Sequence, residues 1–130
     1  MNNACFYRIS VKGLAVDEAG KILLAQKDNG RWDFLGGGLE HDENPIDGLK
    51  REITEESGLK VASASSSPKY FVTAKSLDHD MYIAYVIYEI KLTDLSFTPS
   101  DECRELKYFP VEDVKRINTT ASVEKFLQIF

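Results

Sequence analysis

Three glutamates lie close together in the first half of the chain, at Glu52, Glu55 and Glu56. In a helix, their spacings of three and four residues bring the carboxylates onto one narrow arc of the surface. Like charges at these spacings repel by about 0.2–0.5 kcal/mol per exposed pair, and the negative end of the helix dipole disfavours them further. A solvated acidic surface is one interpretation. Their clustering at the C-terminal end of the helix, close to three successive glycines, favours a bound cation instead.

Magnesium is the cation that best suits these residue types. It binds oxygen ligands in octahedral geometry and keeps several waters, and carboxylates one helical turn apart can supply two or three ligands. A carbonyl from the three glycines at 36–38 can add another, because glycine lets the main chain approach closely. This ligand set suits metal-assisted attack of water on a phosphate ester or anhydride. The chain has two His and two Cys, and without a Cys/His cluster zinc is disfavoured.

The helix that must carry the glutamates is predicted at Pro45–Ser57. Asn44 is a good N-cap, proline suits the first helical position, and Gly58 is a typical C-terminal stop. Apolar residues at helical spacing predict a buried stripe beside the carboxylates, formed by Ile46, Leu49 and Ile53. We therefore expect the glutamates to flank the buried face of the helix and not to point directly into water.

Strands are expected on both sides of this helix. Alternation of apolar and polar residues predicts a strand at 6–16, and an apolar run predicts a more buried strand at 21–27. A long run at 81–91 is apolar on both faces, which is typical of a covered central strand. The remaining predicted elements are an extended segment that begins at 32–34, a loop at 63–68, strands near 70–74 and at 106–109, a helical turn at 111–117 and a terminal helix at 122–130. This order of elements indicates an α/β layered sandwich.

Residues 37–59 resemble the Nudix box, G-x5-E-x7-R-E-U-x-E-E-x-G-U, in which U is a bulky aliphatic residue. Every specified position matches, namely Gly37, Glu43, Arg51, Glu52, Ile53, Glu55, Glu56, Gly58 and Leu59. At average residue usage, a chance match at one starting position is on the order of one in a billion. The resemblance implies one domain, residues 1–130, with the Nudix-type α/β/α sandwich, a mixed central sheet and the acidic box helix beside it.

The resemblance also implies a reaction, which is hydrolysis of a pyrophosphate bond in a nucleoside diphosphate linked to another group, X. The implied cofactor is Mg²⁺, with Mn²⁺ as a substitute. Carried onto this chain, Glu52 and Glu56 are the principal metal ligands, and Glu55 is a further ligand or a candidate base. Gly36 or Gly37 is expected to offer a carbonyl.

Two other box residues are expected to support the metal ligands. Arg51 resembles the family arginine that orients the glutamates, and Glu43 resembles the loop glutamate that supports the box and orients that arginine. The family more often has Leu-Pro-Gly-Gly at the start of the box, where this chain has Phe-Leu-Gly-Gly at 34–37. The missing proline leaves the geometry of the carbonyl ligand less fixed by the sequence.

Several residues outside the box motif are weaker candidates, each with an ordinary surface role as its alternative. The candidate phosphate-binding cations are Arg8, Lys27 and Arg31. The candidate carboxylates are Glu40 for a second metal, and Glu102 or Glu105 for the additional base or ligand that some family members carry. Asn118 is a candidate nucleobase contact in the manner of MutT-like members, and His41 is a candidate substrate contact. Core or cleft-wall positions are expected for the large aromatics Trp32, Tyr82, Tyr85 and Tyr88.

Composition restricts the setting and the partners. Sixteen Lys and Arg against twenty-one Asp and Glu give a net charge of −5, which argues against a protein that coats duplex nucleic acid. The sequence has no apolar run long enough for a membrane helix and no secretory signal pattern at its start, so we expect a cytoplasmic protein with Cys5 and Cys103 as reduced thiols. The expected partner is a small nucleotide substrate, and the family resemblance allows a homodimer.

The function predicted from the sequence is Mg²⁺-dependent hydrolysis of a nucleoside triphosphate or a similar small nucleotide. The alternative is a binding module that keeps the fold and senses a nucleotide without turnover, although such modules usually have incomplete boxes. Isomerisation of a prenyl diphosphate is less well supported, because it needs a suitably placed cysteine and a longer chain.

Overall fold

Eight strands and three helices form the described part of the chain, residues 5–130, in the computed structural model. In chain order, they are β1 (Arg8–Leu14), β2 (Ile22–Gln26), β3 (Trp32–Asp33), β4 (Leu35–Gly38), α1 (Pro45–Ser57), β5 (Val61–Ala64), β6 (Tyr70–Lys75), β7 (Tyr82–Leu92), β8 (Glu105–Phe109), α2 (Val111–Val114) and α3 (Ala121–Leu127). Residues 1–4 lie outside the described part. The expectations of a 1–130 domain and of a start without a signal pattern both include these residues.

The strands form two sheets. The larger sheet has the order β4-β1-β7-β5, with β6 also paired to β7. Strands β1 and β7 are parallel, with Val11 opposite Val86, while the other pairs in this sheet are antiparallel. The smaller sheet has the antiparallel order β3-β2-β8. The predicted α/β class with a mixed sheet is confirmed, and β7 is the central strand that its apolar sequence predicts.

Helix α1 has the bounds that its capping residues predict. The Asn44 side chain accepts a hydrogen bond from the Ile46 amide, and Gly58 ends the helix in the left-handed conformation at φ 75°. Leu49 and Ile53 are fully buried and pack against a core that includes Val11, from the larger sheet. The buried stripe therefore attaches the box helix to the sheet, which fixes where its glutamates lie.

Two strands differ from the sequence prediction because long-range pairing creates them. The glycines at 36–38 belong to β4, which pairs antiparallel with β1. Residues Ser63 and Ala64, predicted as part of a loop, belong to β5 and pair with β7 across a register irregularity. Glycine and serine have weak strand preferences of their own, so the partner strand decides the conformation.

Several element ends also differ. The first strand is shorter than the predicted 6–16, α2 covers only the first four residues of the predicted turn at 111–117, and α3 is shifted from the predicted 122–130 to Ala121–Leu127. Cys5 is exposed and Cys103 is buried, and both are free thiols. Across residues 5–130, the helices are too short or too polar to cross a membrane.

Candidate active site

Helix α1 and strand β4 bring the box glutamates against the glycines. A Cβ added to Gly37 would overlap the Glu52 carboxylate, with Glu52 Cδ only 2.8 Å away. The Gly36 amide donates a hydrogen bond of 2.6 Å to Glu56 Oε1. The absence of a side chain at Gly37 therefore makes room for the Glu52 carboxylate, whereas a Cβ at Gly36 would overlap the backbone of β1.

Arg51 connects the box helix with the loop before it. Its Nε and Nη2 donate to the two oxygens of Glu43 at 2.7 and 2.9 Å, in a bidentate pair. Its Nη1 donates to Glu52 at 3.0 Å and to Glu55 at 3.1 Å, and Nη2 also donates to the Gly38 carbonyl at 3.1 Å. One guanidinium thus joins three box carboxylates and the glycine strand.

This contact changes the acid–base behaviour of both members of the bidentate pair. The hydrogen bond from Arg51 lowers the pKa of Glu43 to about 2, with help from a backbone hydrogen bond. The same hydrogen bond raises the pKa of Arg51 above its usual value. A charge-assisted bidentate pair of this kind is strong and also restricts the geometry of both side chains. The pair therefore fixes the orientation of the arginine.

Glu56 lies in a different environment from the other box glutamates. It is 8% exposed, whereas the Glu55 side chain is 60% exposed. Burial raises the pKa of Glu56 well above its usual range, and the charge of Lys12 and the Gly36 hydrogen bond oppose that rise. Glu56 is therefore a desolvated carboxylate at the junction of the helix and the glycine strand.

A buried ion pair lies next to Glu56. Lys12 Nζ donates to Asp33 Oδ2 and to the Gly36 carbonyl, each at 3.0 Å, and Asp33 Oδ1 accepts from Thr120 and Ser122 at 2.9 Å. Burial is the largest influence on the pKa of Lys12 and lowers it, but the charges of Asp33 and Glu56 and the Asp33 hydrogen bond together raise that pKa above its usual value. Burial is likewise the largest influence on the pKa of Asp33 and raises it, but the charge of Lys12 and the hydrogen bonds to Asp33 together lower that pKa below its usual value. Both groups are thus held in their charged forms.

The sequence prediction missed this pair. Lys12 belongs to the larger sheet and Asp33 to the smaller sheet, so no local pattern connects them. A lysine between the apolar positions of a strand and an aspartate just before the glycines were the only signals. The prediction also missed the loop residues 76–79 between β6 and β7, which line the same cavity as the glycine strand.

That cavity has a volume of about 280 Å³. Its lining includes the three glycines of β4 with Glu52 and Glu56. Residues 76–79, Lys27 and Tyr85 also line it. A second cavity, of about 380 Å³, is lined by Glu52, Glu55, Glu56, Ser100, Asp101 and Glu102.

The donor set around these cavities fits a hard divalent cation in its chemistry. Glu52, Glu55 and Glu56 all line the second cavity, and their oxygens are the ligand type that Mg²⁺ prefers. Among residues 5–130, no three His, Cys, Asp or Glu side chains converge in the arrangement of a formed metal centre. In this arrangement Arg51 binds Glu52 and Glu55, and the Gly36 amide binds Glu56.

The three predicted phosphate-binding cations lie in different places. Lys27 lines the first cavity and lies 3.6 Å from the Asp78 carboxylate. Arg31 is outside the cavity lining and binds Asp78 at 3.2 Å. Arg8 donates to the Leu39 carbonyl instead of facing the cavity.

The other candidates are also separated by the fold. Glu102 lines both cavities, Glu105 is exposed on β8, and Glu40 lies 3.7 Å from Arg51. The Asn118 side chain accepts a hydrogen bond from Arg31, and His41 is exposed.

The predicted aromatic positions are partly correct. Tyr85 is buried at the cavity wall and Tyr88 is buried in the core, as expected. Trp32 packs edge-to-face against Phe109, with ring centroids 4.8 Å apart. Tyr82 is 53% exposed, so its expected position in the core or cleft wall is wrong.

Comparison with known proteins gives a consistent result. The NUDIX domain family model matches residues 6–130. A MutT-like protein of Streptomyces ambofaciens is 45% identical over 56 residues, which cover 42% of this chain and only 36% of that relative. The nucleoside triphosphatase NudI of Escherichia fergusonii is 25% identical over 107 residues, covering 77% of this chain and 76% of the relative.

A solved structure extends this likeness to the three-dimensional fold. The MutT protein of Methanosarcina mazei Go1 superposes with a TM-score of 0.77 at 23% identity, covering 97% of this chain and 93% of the other.

Proposed function

This chain belongs to the Nudix family of hydrolases, and on that premise we propose that it cleaves a pyrophosphate bond in a nucleoside diphosphate linked to another group, in a Mg²⁺-dependent reaction. The proposed substrate is a nucleoside triphosphate or a similar small nucleotide. The observation that carries the proposal is the cavity of about 280 Å³ that joins Glu52, Glu56 and the glycine strand to Lys27 and Tyr85.

The charges of the cavity support a requirement for a cation. Among the described residues, two lysines and five carboxylates line the cavity. The lysines are Lys12 and Lys27, and the carboxylates are Asp33, Glu52, Glu56, Asp78 and Glu102. Both ammonium groups are already close to carboxylates. A phosphate chain would therefore be repelled by this wall unless a divalent cation reversed the local field.

Glu52, Glu56 and Glu55 are the residues proposed to hold the cation, together with the carbonyl of Gly37, because the Gly36 carbonyl already accepts from Lys12. When bound, the metal neutralises charge on the phosphate oxygens and lowers the pKa of a bound water. The contribution of Arg51 is to hold Glu52 and Glu55 on the same side of the helix. Glu43 fixes the arginine, and this leaves the ligands organised before substrate binds.

The attacking water also needs a base within hydrogen-bonding reach. We favour Glu102 over Glu105 because Glu102 lines both cavities, whereas Glu105 is exposed on β8. Glu55 is the alternative, since it lines the second cavity beside Glu102.

The apolar and aromatic lining of the first cavity is proposed to take the nucleoside. Phe34, Ile83, Tyr85 and Ala121 supply this surface, and Lys27 in the same lining can reach a phosphate. A nucleotide substrate also agrees with the name of the relative NudI, a nucleoside triphosphatase that covers 77% of this chain.

The test is a panel of nucleoside triphosphates, nucleoside diphosphate sugars and dinucleoside polyphosphates, each incubated with the purified chain with and without Mg²⁺. We expect release of phosphate or pyrophosphate from at least one of them, with Mg²⁺ required. Turnover that persists after chelation would contradict the proposed mechanism. Metal-dependent nucleotide binding without turnover of any compound would favour a nucleotide-sensing module instead.

A further inference from the structure

Lys12 occupies an unusual position for a lysine. It lies in the middle of β1 and is 6% exposed. Its ammonium group lies 3.0 Å from both the Asp33 carboxylate and the Gly36 carbonyl. A buried ion pair is often no more stable than apolar residues of similar volume, so fold stability alone does not account for this lysine.

The contact with Gly36 connects Lys12 to the site. Lys12 holds the carbonyl on one side of the Gly36 Cα, and Glu56 accepts from the amide on the other side at 2.6 Å. Gly36 has φ +119°, a conformation open to glycine, which has the greatest backbone freedom of any residue. Pairing with β1 places Gly36 in the sheet, and the Lys12 and Glu56 side chains hold its carbonyl and its amide.

We propose that Lys12 is a positioning residue for the hydrolysis, which acts by fixing the Gly36 backbone so that the Gly36 amide orients the Glu56 carboxylate. The inference rests on the proposed function, because Glu56 is one of the proposed metal ligands. It assigns Lys12 a role through Gly36 and not through contact with the reacting atoms.

Asp33 has a supporting part in this arrangement. Its second oxygen accepts hydrogen bonds from Thr120 and Ser122, which hold it from the N-terminal end of α3. The Asp33 carboxylate, in the smaller sheet, therefore anchors the Lys12 ammonium group. A second N–H of that ammonium donates to the Gly36 carbonyl. Thr120 holds the same oxygen as Ser122, so the Lys12–Gly36 contact does not depend on Ser122 alone.

The first test is made without substrate or metal. The amide proton of Gly36 is followed by NMR in the wild type, in Lys12→Met and in the control Ser122→Ala. Lys12→Met keeps the length of the side chain but removes its donors, so we expect a shifted Gly36 amide resonance and faster hydrogen exchange. Ser122→Ala removes a hydrogen bond from the far side of Asp33, and we expect the Gly36 amide to keep its wild-type shift and protection.

The second test is kinetic. With a substrate from the panel, we expect Lys12→Met to lower kcat by about 10- to 100-fold and to change KM by less than about threefold, because Glu56 is misplaced while the nucleotide surface is intact. Ser122→Ala should keep the wild-type kcat. A larger change in KM than in kcat would mean that Lys12 contacts the substrate directly, which would overturn the proposal.

The folding of the variants is controlled by a double variant. Lys12→Met alone leaves Asp33 buried without its partner, so Lys12→Met/Asp33→Asn removes both charges together and is expected to give the same Gly36 and kcat changes. An unchanged Gly36 amide, an unchanged kcat, or equal effects of Ser122→Ala would each overturn the proposal. If the wild type cleaves no nucleotide, the proposed function fails, whereas the NMR comparison still decides whether Lys12 fixes Gly36.

Discussion

The Glu52 side chain fills the space into which a side chain at Gly37 would extend. A Cβ on Gly37 would overlap the carboxylate of Glu52, and its nearest neighbours are all atoms of that side chain. The overlapped atoms belong to the end of a side chain and not to backbone, so we expect added volume at Gly37 to move the carboxylate and leave the backbone in place. The glycine is therefore required by the site more than by the fold.

Gly37→Ala is expected to fold normally but to hydrolyse its substrate at least about tenfold more slowly, because the Glu52 carboxylate is displaced. The measurement is kcat together with the thermal midpoint. Gly36→Ala provides the contrast, since its Cβ would overlap the backbone of β1 at a φ of +119°. That variant should lose more than about 2 kcal/mol of folding stability. Equal stability losses in the two variants would contradict this distinction.

Glu56→Gln should separate function from stability. The proposed loss of a metal ligand lowers kcat by at least about a hundredfold, while the amide oxygen can still accept the Gly36 hydrogen bond. Burial raises the native pKa of Glu56 above the ordinary 4.5. Ionising Glu56 therefore lowers the free energy of unfolding, and this loss accumulates as pH rises from 4.5 through the raised pKa. Urea denaturation should therefore find the variant as stable as the wild type or more so, increasingly at higher pH. A parallel loss of stability and activity would point to a structural role.

Glu43 should make the fold sensitive to acid. Its native pKa of about 2 lies below the ordinary 4.5, so the charged form stabilises the fold above pH 4.5, and that contribution is lost as pH falls from 4.5 to 2. We expect the stability difference between wild type and Glu43→Gln to be largest near neutral pH and to vanish near pH 2. Thermal midpoints across this range measure it, with Glu40→Gln as a control at an exposed position beside the same arginine. A difference that does not vary with pH would exclude this origin.

Lys27→Met tests the lysine proposed to contact the phosphates in the first cavity. Because Lys27 lines the cavity, its loss should raise KM for the nucleotide by about 3- to 30-fold, with a smaller effect on kcat. Lys50→Met removes an equal charge from an exposed position on α1 and should leave KM unchanged. Initial rates over a range of nucleotide concentrations measure both variants, and equal changes would mean that only net charge matters.

The sequence was most informative where the determinants are local. The bounds of α1 follow from Asn44, Pro45 and Gly58, all within one turn of the ends that they define, and the structure agrees with them. The spacing of the box glutamates likewise depends only on helix geometry. Local signals were therefore sufficient for the element that carries the proposed ligands.

The remainder depends on contacts between distant segments. Strand β4 exists because the glycines pair with β1, and glycine has no strand preference that predicts this. The Lys12–Asp33 pair crosses from one sheet to the other. Arg31 lies near the glycines in sequence, yet Asp78 and Asn118 hold it outside the cavity lining. Such partners are decided by the packing of the sheets, which no single segment encodes.

The central claim is that Glu52 and Glu56 bind a divalent cation, and titration calorimetry with Mg²⁺ tests it most directly. Wild-type protein is titrated to millimolar Mg²⁺, alone and with a non-hydrolysable nucleotide analogue, and compared with Glu52→Gln and Glu56→Gln. We predict saturable binding by the wild type that the nucleotide strengthens, and at least about tenfold weaker binding in each variant. No binding by the wild type at millimolar Mg²⁺ with the analogue present, or equal binding by the variants, would contradict the account.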